Sequence, residues 1–314
     1  MKQFLTHSLF FILPFLIGSI YLYYSPYSKE YGYGYRNNVD CNTSWVYYRL
    51  FQNNTPIDIA FMGTSHTGCG INDSLVENLI SEQTPEKKVV ANLAYCTIGR
   101  NIQLPLVKDL LTTKSPQVIV IEVREQESVS SHQDFPYIAD MNDILQPEAI
   151  YPSLIKDIYS AFFIRFNYTR KRLTKTVNKS ISTNHKNNHS YFPFKFTANK
   201  ELLDQHKINQ ANRYQSTPNY LKSIQLEYPK RYLKKITQLA NAKKIKLVFL
   251  YLPSYGATLK KPLSYSFYQS LGEVWIPPSS IFNNPENWVD GEHLNYNGST
   301  KLAAWLSKEY QSIQ

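Results

Sequence analysis

The run Val118-Ile119-Val120-Ile121-Glu122-Val123 most narrows what this chain can fold into. Apolar residues without polar alternation do not suit a strand wetted on one face. They suit a strand covered on both, as in a parallel sheet clothed by helices. Strand-like runs also occupy 57–62, 89–93 and 247–252, the last closed by Pro253, and a short fifth strand fits 273–276. Segments with apolar residues at helical spacing predict helices over 71–83, 101–113, 234–244 and 298–310. The alternation predicts an α/β fold, a parallel sheet with helices on both faces.

Residues 125–225 break that rhythm and read as an insertion in the α/β core. The net charge of +10 concentrates there: residues 151–215 hold twelve Lys/Arg against three Asp/Glu, so the rest of the chain is close to neutral. Residues 26–55, rich in Tyr, Asn and Gly, read as a spacer. The N-terminus carries a largely apolar run from Phe4 to Tyr24, with no charged side chain unless His7 is protonated. It is about long enough to cross a bilayer. With no small-x-small cleavage site after it, residues 1–25 read as an uncleaved transmembrane signal anchor. Lys2 ahead of the run places the N-terminus inside and the body outside, in the cell envelope. Residues 56–314 then form the main domain. The cysteines are Cys41, Cys69 and Cys96, without metal spacing. Cys69 and Cys96, both near strand ends, suit either a disulfide or two buried thiols.

Two short motifs carry chemistry. Gly63-Thr64-Ser65-His66 follows the first strand, where the carboxyl ends of parallel strands gather ligand sites. Asp290-Gly291-Glu292-His293-Leu294-Asn295 precedes the last helix. A serine at a strand-to-helix turn exposes its hydroxyl, and an Asp-x-x-His unit supplies both a base and the group that orients it. Each half has a plainer reading: a helix-capping serine, a loop histidine, an aspartate bonded to its own turn. The order Ser, Asp, His is rarer by chance than either half.

With these motifs the chain resembles the SGNH/GDSL-like hydrolase superfamily. It looks most like the membrane-anchored branch of teichoic acid D-alanyl transfer proteins and alginate O-acetyltransferase-like proteins. The resemblance rests on Phe61-Met62-Gly63-Thr64-Ser65-His66, on Asn92-Leu93-Ala94 leading to Gly99, and on Asp290 to Asn295 with Gly298. It implies a flavodoxin-like three-layer fold, Ser65 as nucleophile, His293 as general base and Asp290 as its orienting partner. The amides of Ser65 and Gly99 become oxyanion donors. The family has Gly-x-Asn after the third strand, where this chain has Glu122-Val123-Arg124-Glu125. Arg124 then supplies positive charge, or Asn101 donates from the neighbouring loop, or Arg124 merely pairs with Glu122 or Glu125. His66 is expected to point away from the serine and to line the pocket.

The insertion mixes Arg165, Arg170, Lys171, Arg172, Lys175 and Lys179 with Tyr159, Phe162, Phe163, Phe166 and Tyr168. With the body outside the cell, the fitting partner is an anionic lipid surface or glycan rather than nucleic acid. Ala161-Phe162-Phe163-Ile164 is the part expected to dip into an interface; the plainer reading is a solvated helix with a small core of its own. His132, His185, His189 and His206 have no metal-ligand spacing, and no cofactor is expected. The expected function is serine-dependent transfer of an acyl group, acetyl above all, to a hydroxyl of a surface or secreted polysaccharide. The alternatives are an SGNH-type esterase and a non-catalytic glycan-binding or assembly protein. A transferase of this topology depends on a separate membrane protein for activated acyl groups.

Overall fold

The computed structural model describes residues 2–35, 43–145, 151, 153–177, 188–213 and 219–312, with side chains at 2, 5, 6, 9, 211–213 and 219–225 excepted. Cys41, Lys179 and His185 lie outside the described residues. Five strands, β1 (Ile59–Met62), β2 (Val90–Asn92), β3 (Val118–Val123), β4 (Lys246–Tyr251) and β5 (Glu273–Trp275), form one sheet in the order β2-β1-β3-β4-β5. Every pairing is parallel, with Ile59 opposite both Val90 and Val118, and Val118 opposite Lys246.

Alternation along each strand serves two cores. Ala60, Met62, Ile119, Ile121, Val123, Leu247 and Phe249 face one side. Ile59, Phe61, Val118, Val120, Val248 and Leu250 face the other. The first side is covered by α4 (Gln103–Thr113), through Leu106, Val107 and Leu110, and by α7 (Asn219–Ala242), through Leu233, Ile236 and Ala240. The second is covered by α3 (Asp73–Gln83), through Val76 and Ile80, and by α8 (Tyr296–Gln311), through Leu302 and Leu306. Apolar strands without a polar face thus find two helical layers, as the unbroken run at 118–123 requires.

The winding matters for function. The chain passes from β1 to β2 on one side, then crosses to β3 on the other. The carboxyl ends of β1 and β3 therefore flank the switch point of the sheet, where open α/β folds bind ligands. A short helix, α2 (Ser65–Gly70), starts there, after β1.

Three expectations are revised. Of the expected spacer, the described residues 26–35 and 43–55 do not run free: Tyr33, Trp45, Val46 and Leu50 are buried in the first core, and Arg49 is fully buried, donating to the carbonyls of Thr55 and Pro56 at 2.6 Å each. The aromatic rings of Tyr33 and Trp45 are core rather than linker. The helix expected over 234–244 is the end of the longer α7, which runs through Pro229. Residues 2–24 do form one helix, α1 (Lys2–Tyr24), but among the described residues no helix is long and apolar enough to cross a membrane, so the structure does not support the anchor. The observable feature of α1 is exposure: Phe10, Phe11, Phe15, Leu16, Ile17 and Ile20 all face outward.

The insertion between β3 and β4 contains α5 (Leu154–Leu173) and α6 (Lys200–Arg213). It is not a separate lobe: Ser190 donates its amide to Asp73 at 3.0 Å, and the Phe192 amide donates to the Gly68 carbonyl at 3.1 Å. Cys69 and Cys96 are buried and not joined to each other, and burial pushes the Cys69 thiol up to about 12.

Ile121, on the central strand β3 and fully buried, reports on this architecture. Ile121→Ala is expected to cost about 2–5 kcal/mol of unfolding free energy, measured by urea denaturation.

Candidate active site

Ser65 stands three residues past β1, at the first position of α2. The turn is set by Glu122, the one carboxylate in the β3 run, which is 3 % exposed. Its two oxygens accept from the Thr64 amide (2.8 Å), the Thr64 hydroxyl (2.9 Å), the Thr67 amide (3.1 Å) and the Thr67 hydroxyl (2.6 Å). Burial works against its charge, but His66, Arg124 and the Thr67 and Thr64 bonds prevail and hold the carboxyl below its usual range. Gly63 is required by this closeness rather than by a left-handed backbone. A Cβ there would lie 2.0 Å from the Thr67 hydroxyl and 2.3 Å from a Glu122 oxygen.

The partner motif forms a tight loop. Trp288 and Leu294 bridge antiparallel, and the Val289 amide donates to the His293 carbonyl at 3.0 Å. Within the loop Asp290 Oδ1 accepts the amides of Glu292 (2.7 Å) and His293 (2.8 Å). The same carboxylate faces His293 Nδ1 at 2.9 Å. Asn295 caps α8, accepting from the Gly298 amide, and so ends the loop. The Asp-x-x-His spacing is thus the size of one turn: a single aspartate folds the loop and orients the ring.

The two motifs meet. His293 Nε2 lies 2.7 Å from Ser65 Oγ. A carboxylate can only accept, so Nδ1 carries the ring proton toward Asp290 and Nε2 is left to accept the serine hydroxyl. Asp290 is destabilised by burial but stabilised more by His293 and the two amides, so its carboxyl is held below its usual value.

A second carboxylate organises the surroundings. Glu292 Oε2 lies 2.9 Å from His66 Nε2 and accepts from the Ser254 hydroxyl at 2.9 Å and from Arg124. Its other oxygen accepts from Gln210 of α6 at 3.3 Å, with His206 Nε2 at 3.6 Å. Burial opposes its charge, yet His66 and Arg124 hold it well below the usual carboxylate range. His66 itself is pushed down by burial and by Arg124, against the pull of Glu292. Its ring stands 5.4 Å from that of His293.

Of the expected pocket residues, Gly99 and Arg124 line a cavity of about 280 Å³ together with Thr64, Arg100, Gln103, Glu122 and Gln210; it reaches the turn at Thr64, while Ser65, Asp290 and His293 are not among its lining residues. Gly99 has φ +139°, and a Cβ there would meet the His132 backbone at 2.4 Å. Arg124 pairs neither with Glu122 nor closely with Glu125, 4.0 Å away, but with Glu292 and with Ser254 at 2.6 Å. His66 points away from the serine, at Glu292, and does not line that cavity.

The Asn101 side chain is engaged away from Ser65. It is fully buried, donating to Ser131 Oγ at 2.7 Å and accepting the His132 amide at 2.9 Å, so its amide group is committed to the 131–132 loop. Sequence reasoning missed Glu122 as the holder of the turn, and Glu292, Ser254 and Gln210 altogether. For Glu122 a signal existed: a lone carboxylate in an apolar strand must be buried and satisfied. Among the described residues no group of three His, Cys, Asp or Glu side chains is placed to hold a metal ion. No protein-family model matches this chain, and no curated protein matches it.

Glu122 predicts acid sensitivity. Its folded-state pKa is depressed, so its contribution is full above the unfolded value, about 4.3, and is lost as pH falls through it toward the folded value. Asp290 and Glu292 act in the same direction. Melting temperature is expected to drop as pH falls below about 4.3. Glu122→Gln, less stable at neutral pH by about 1–3 kcal/mol, is expected to show a shallower drop, read by calorimetry across pH.

Proposed function

We propose that this chain is a serine-dependent acyltransferase acting on a hydroxyl acceptor. One observation carries the reading: Ser65 Oγ, His293 and Asp290 form a continuous hydrogen-bonded chain at 2.7 and 2.9 Å, built from segments 228 residues apart. Capping or turn formation needs no such alignment.

His293 Nε2 takes the Ser65 proton as Oγ attacks the acyl carbonyl. The imidazolium, steadied by Asp290, gives that proton to the departing oxygen as its bond to the acyl carbon breaks. The acceptor hydroxyl then attacks the acyl-serine as it loses its proton to His293, and His293 returns that proton to Ser65 Oγ as the Oγ–acyl bond breaks. The oxyanion is assigned to the Ser65 and Gly99 amides. Asn101 has no part, and Arg124 contributes its charge at the edge of the site.

The resemblance of both motifs to SGNH-type acyltransferases makes acetyl the favoured group and a cell-surface or secreted polysaccharide the favoured acceptor. The apolar exposure of α1 supports attachment of the body at a membrane, with a separate membrane protein delivering activated acyl groups. Water in place of the acceptor would make the same array an esterase.

Labelling with a fluorophosphonate tests the array directly. Full-length protein is expected to carry the adduct on Ser65, located by peptide mass, with none in Ser65→Ala. In His293→Ala the labelling rate is expected to fall by about 10²–10⁴-fold. Unchanged labelling in His293→Ala sinks the proposal. Acetate release without transfer to added polysaccharide selects the esterase.

A further inference from the structure

The helix α5 has two unlike faces. Asp157, Ala161, Ile164 and Arg165 are buried against the body. Asp157 accepts from Ser131 Oγ at 2.6 Å and Tyr151 OH at 2.9 Å, while Arg165 donates to the Ala139 carbonyl at 2.8 Å. The opposite side carries Ile155, Tyr159, Phe163, Phe166 and Leu173, between 45 % and 84 % exposed. At about 100° per residue these five side chains fall within an arc of about 80°. That is a continuous apolar stripe along a helix about 30 Å long. The part expected from sequence to dip into an interface is therefore corrected: Ala161 and Ile164 face the core.

The exposed cation Arg170 lies within that arc and Lys156 at its edge, with Lys171 and Arg172 in the last turn. The helix's single acid, Asp157, is turned inward. The helix α5 also packs beside α1 and the chain just after it, through the side opposite the stripe. Tyr23, at the end of α1, bonds to Asn142, and Tyr27, just beyond it, packs edge-on against Tyr168 of α5 at 5.5 Å and lies under Arg165 at 4.6 Å. The rest of α1 exposes large apolar side chains on all sides, an arrangement suited to lipid rather than water.

We infer that α5 lies flat on an anionic lipid surface, its Ile155–Tyr159–Phe163–Phe166–Leu173 stripe in the headgroup region and Lys156 and Arg170 on lipid phosphates. Three features select lipid over a protein partner: cations within and at the edge of the apolar arc, interfacial aromatic residues, and the packing of α5 beside α1. The inference shares with the proposed function only membrane attachment through α1, and is independent of acyl transfer.

The test uses the full chain in lipid nanodiscs and a reporter at Tyr159→Trp. The native tryptophans Trp45, Trp275 and Trp288 are buried and Trp305 is half-buried, none on α5, so wild-type protein supplies the background. Bromine-labelled acyl chains should quench the added emission in discs of mixed phosphatidylglycerol and phosphatidylcholine. Quenching should be lost in pure phosphatidylcholine and in the Lys156→Glu/Arg170→Glu background. Equal quenching in all three overturns the role of the cations. Protein held in the discs with no quenching overturns the docking of α5 while leaving α1 as an attachment. Protein that does not enter discs overturns both. Fluorophosphonate labelling of Ser65 in each variant reports separately on the fold and the triad.

Discussion

The buried Glu122 carboxylate is the interaction on which the site depends. A charge in the middle of a parallel sheet is costly unless every lone pair is used. Here four donors from Thr64 and Thr67 use them, and all four belong to the turn after β1. The charge therefore cannot be satisfied unless that turn closes against β3. Closing it places Ser65 at the start of α2 with its hydroxyl facing the crevice. Gly63 follows from the same fact, because no side chain fits between its backbone and the carboxylate. The sheet's register, with Phe61 opposite Val120 and Met62 opposite Ile121, brings the two strands into the alignment that makes this bond possible.

Glu292 plays the complementary part on the other side of the crevice. It joins His66 on α2, Arg124 after β3, Ser254 after β4 and Gln210 on the inserted α6. Asp290 meanwhile holds the loop amides and His293. Two acids of one loop thus divide the work: Glu292 ties the loop to the fold, and Asp290 shapes the loop and orients the ring. The 2.7 Å approach of His293 to Ser65 is the sum of both. The insertion, which interrupts the sheet in sequence, helps to hold the site in space.

Much of this was legible beforehand. The strand runs are continuous and apolar, so burial on both faces left one architecture. Ser65, Asp290 and His293 stood out because their residue types and local spacings are those of an activated hydroxyl. Less was legible where partners are distant. Arg124 has two acidic neighbours in the chain, yet its close partners are Glu292 and Ser254, with Glu125 no nearer than 4.0 Å. Asn101 was a plausible donor by position, but its amide closes a neighbouring loop. Residues 29–34 and 43–52 looked like linker because aromatic, Asn- and Gly-rich composition resembles one, whereas Tyr33, Trp45 and Leu50 complete the core.

What the sequence by itself determined is local or periodic. Which segments are strands, where the turn after the first strand falls, and that one aspartate three residues ahead of a histidine can orient it are all encoded within a few residues. What only the tertiary structure decided is which distant groups satisfy the charges: Glu122 by the turn holding Ser65, and Glu292 by four segments of chain. The reason is physical. A buried ion is stable only with its partners in place, and those partners are chosen by the meeting of strand ends and loops in space, which no spacing along the chain records.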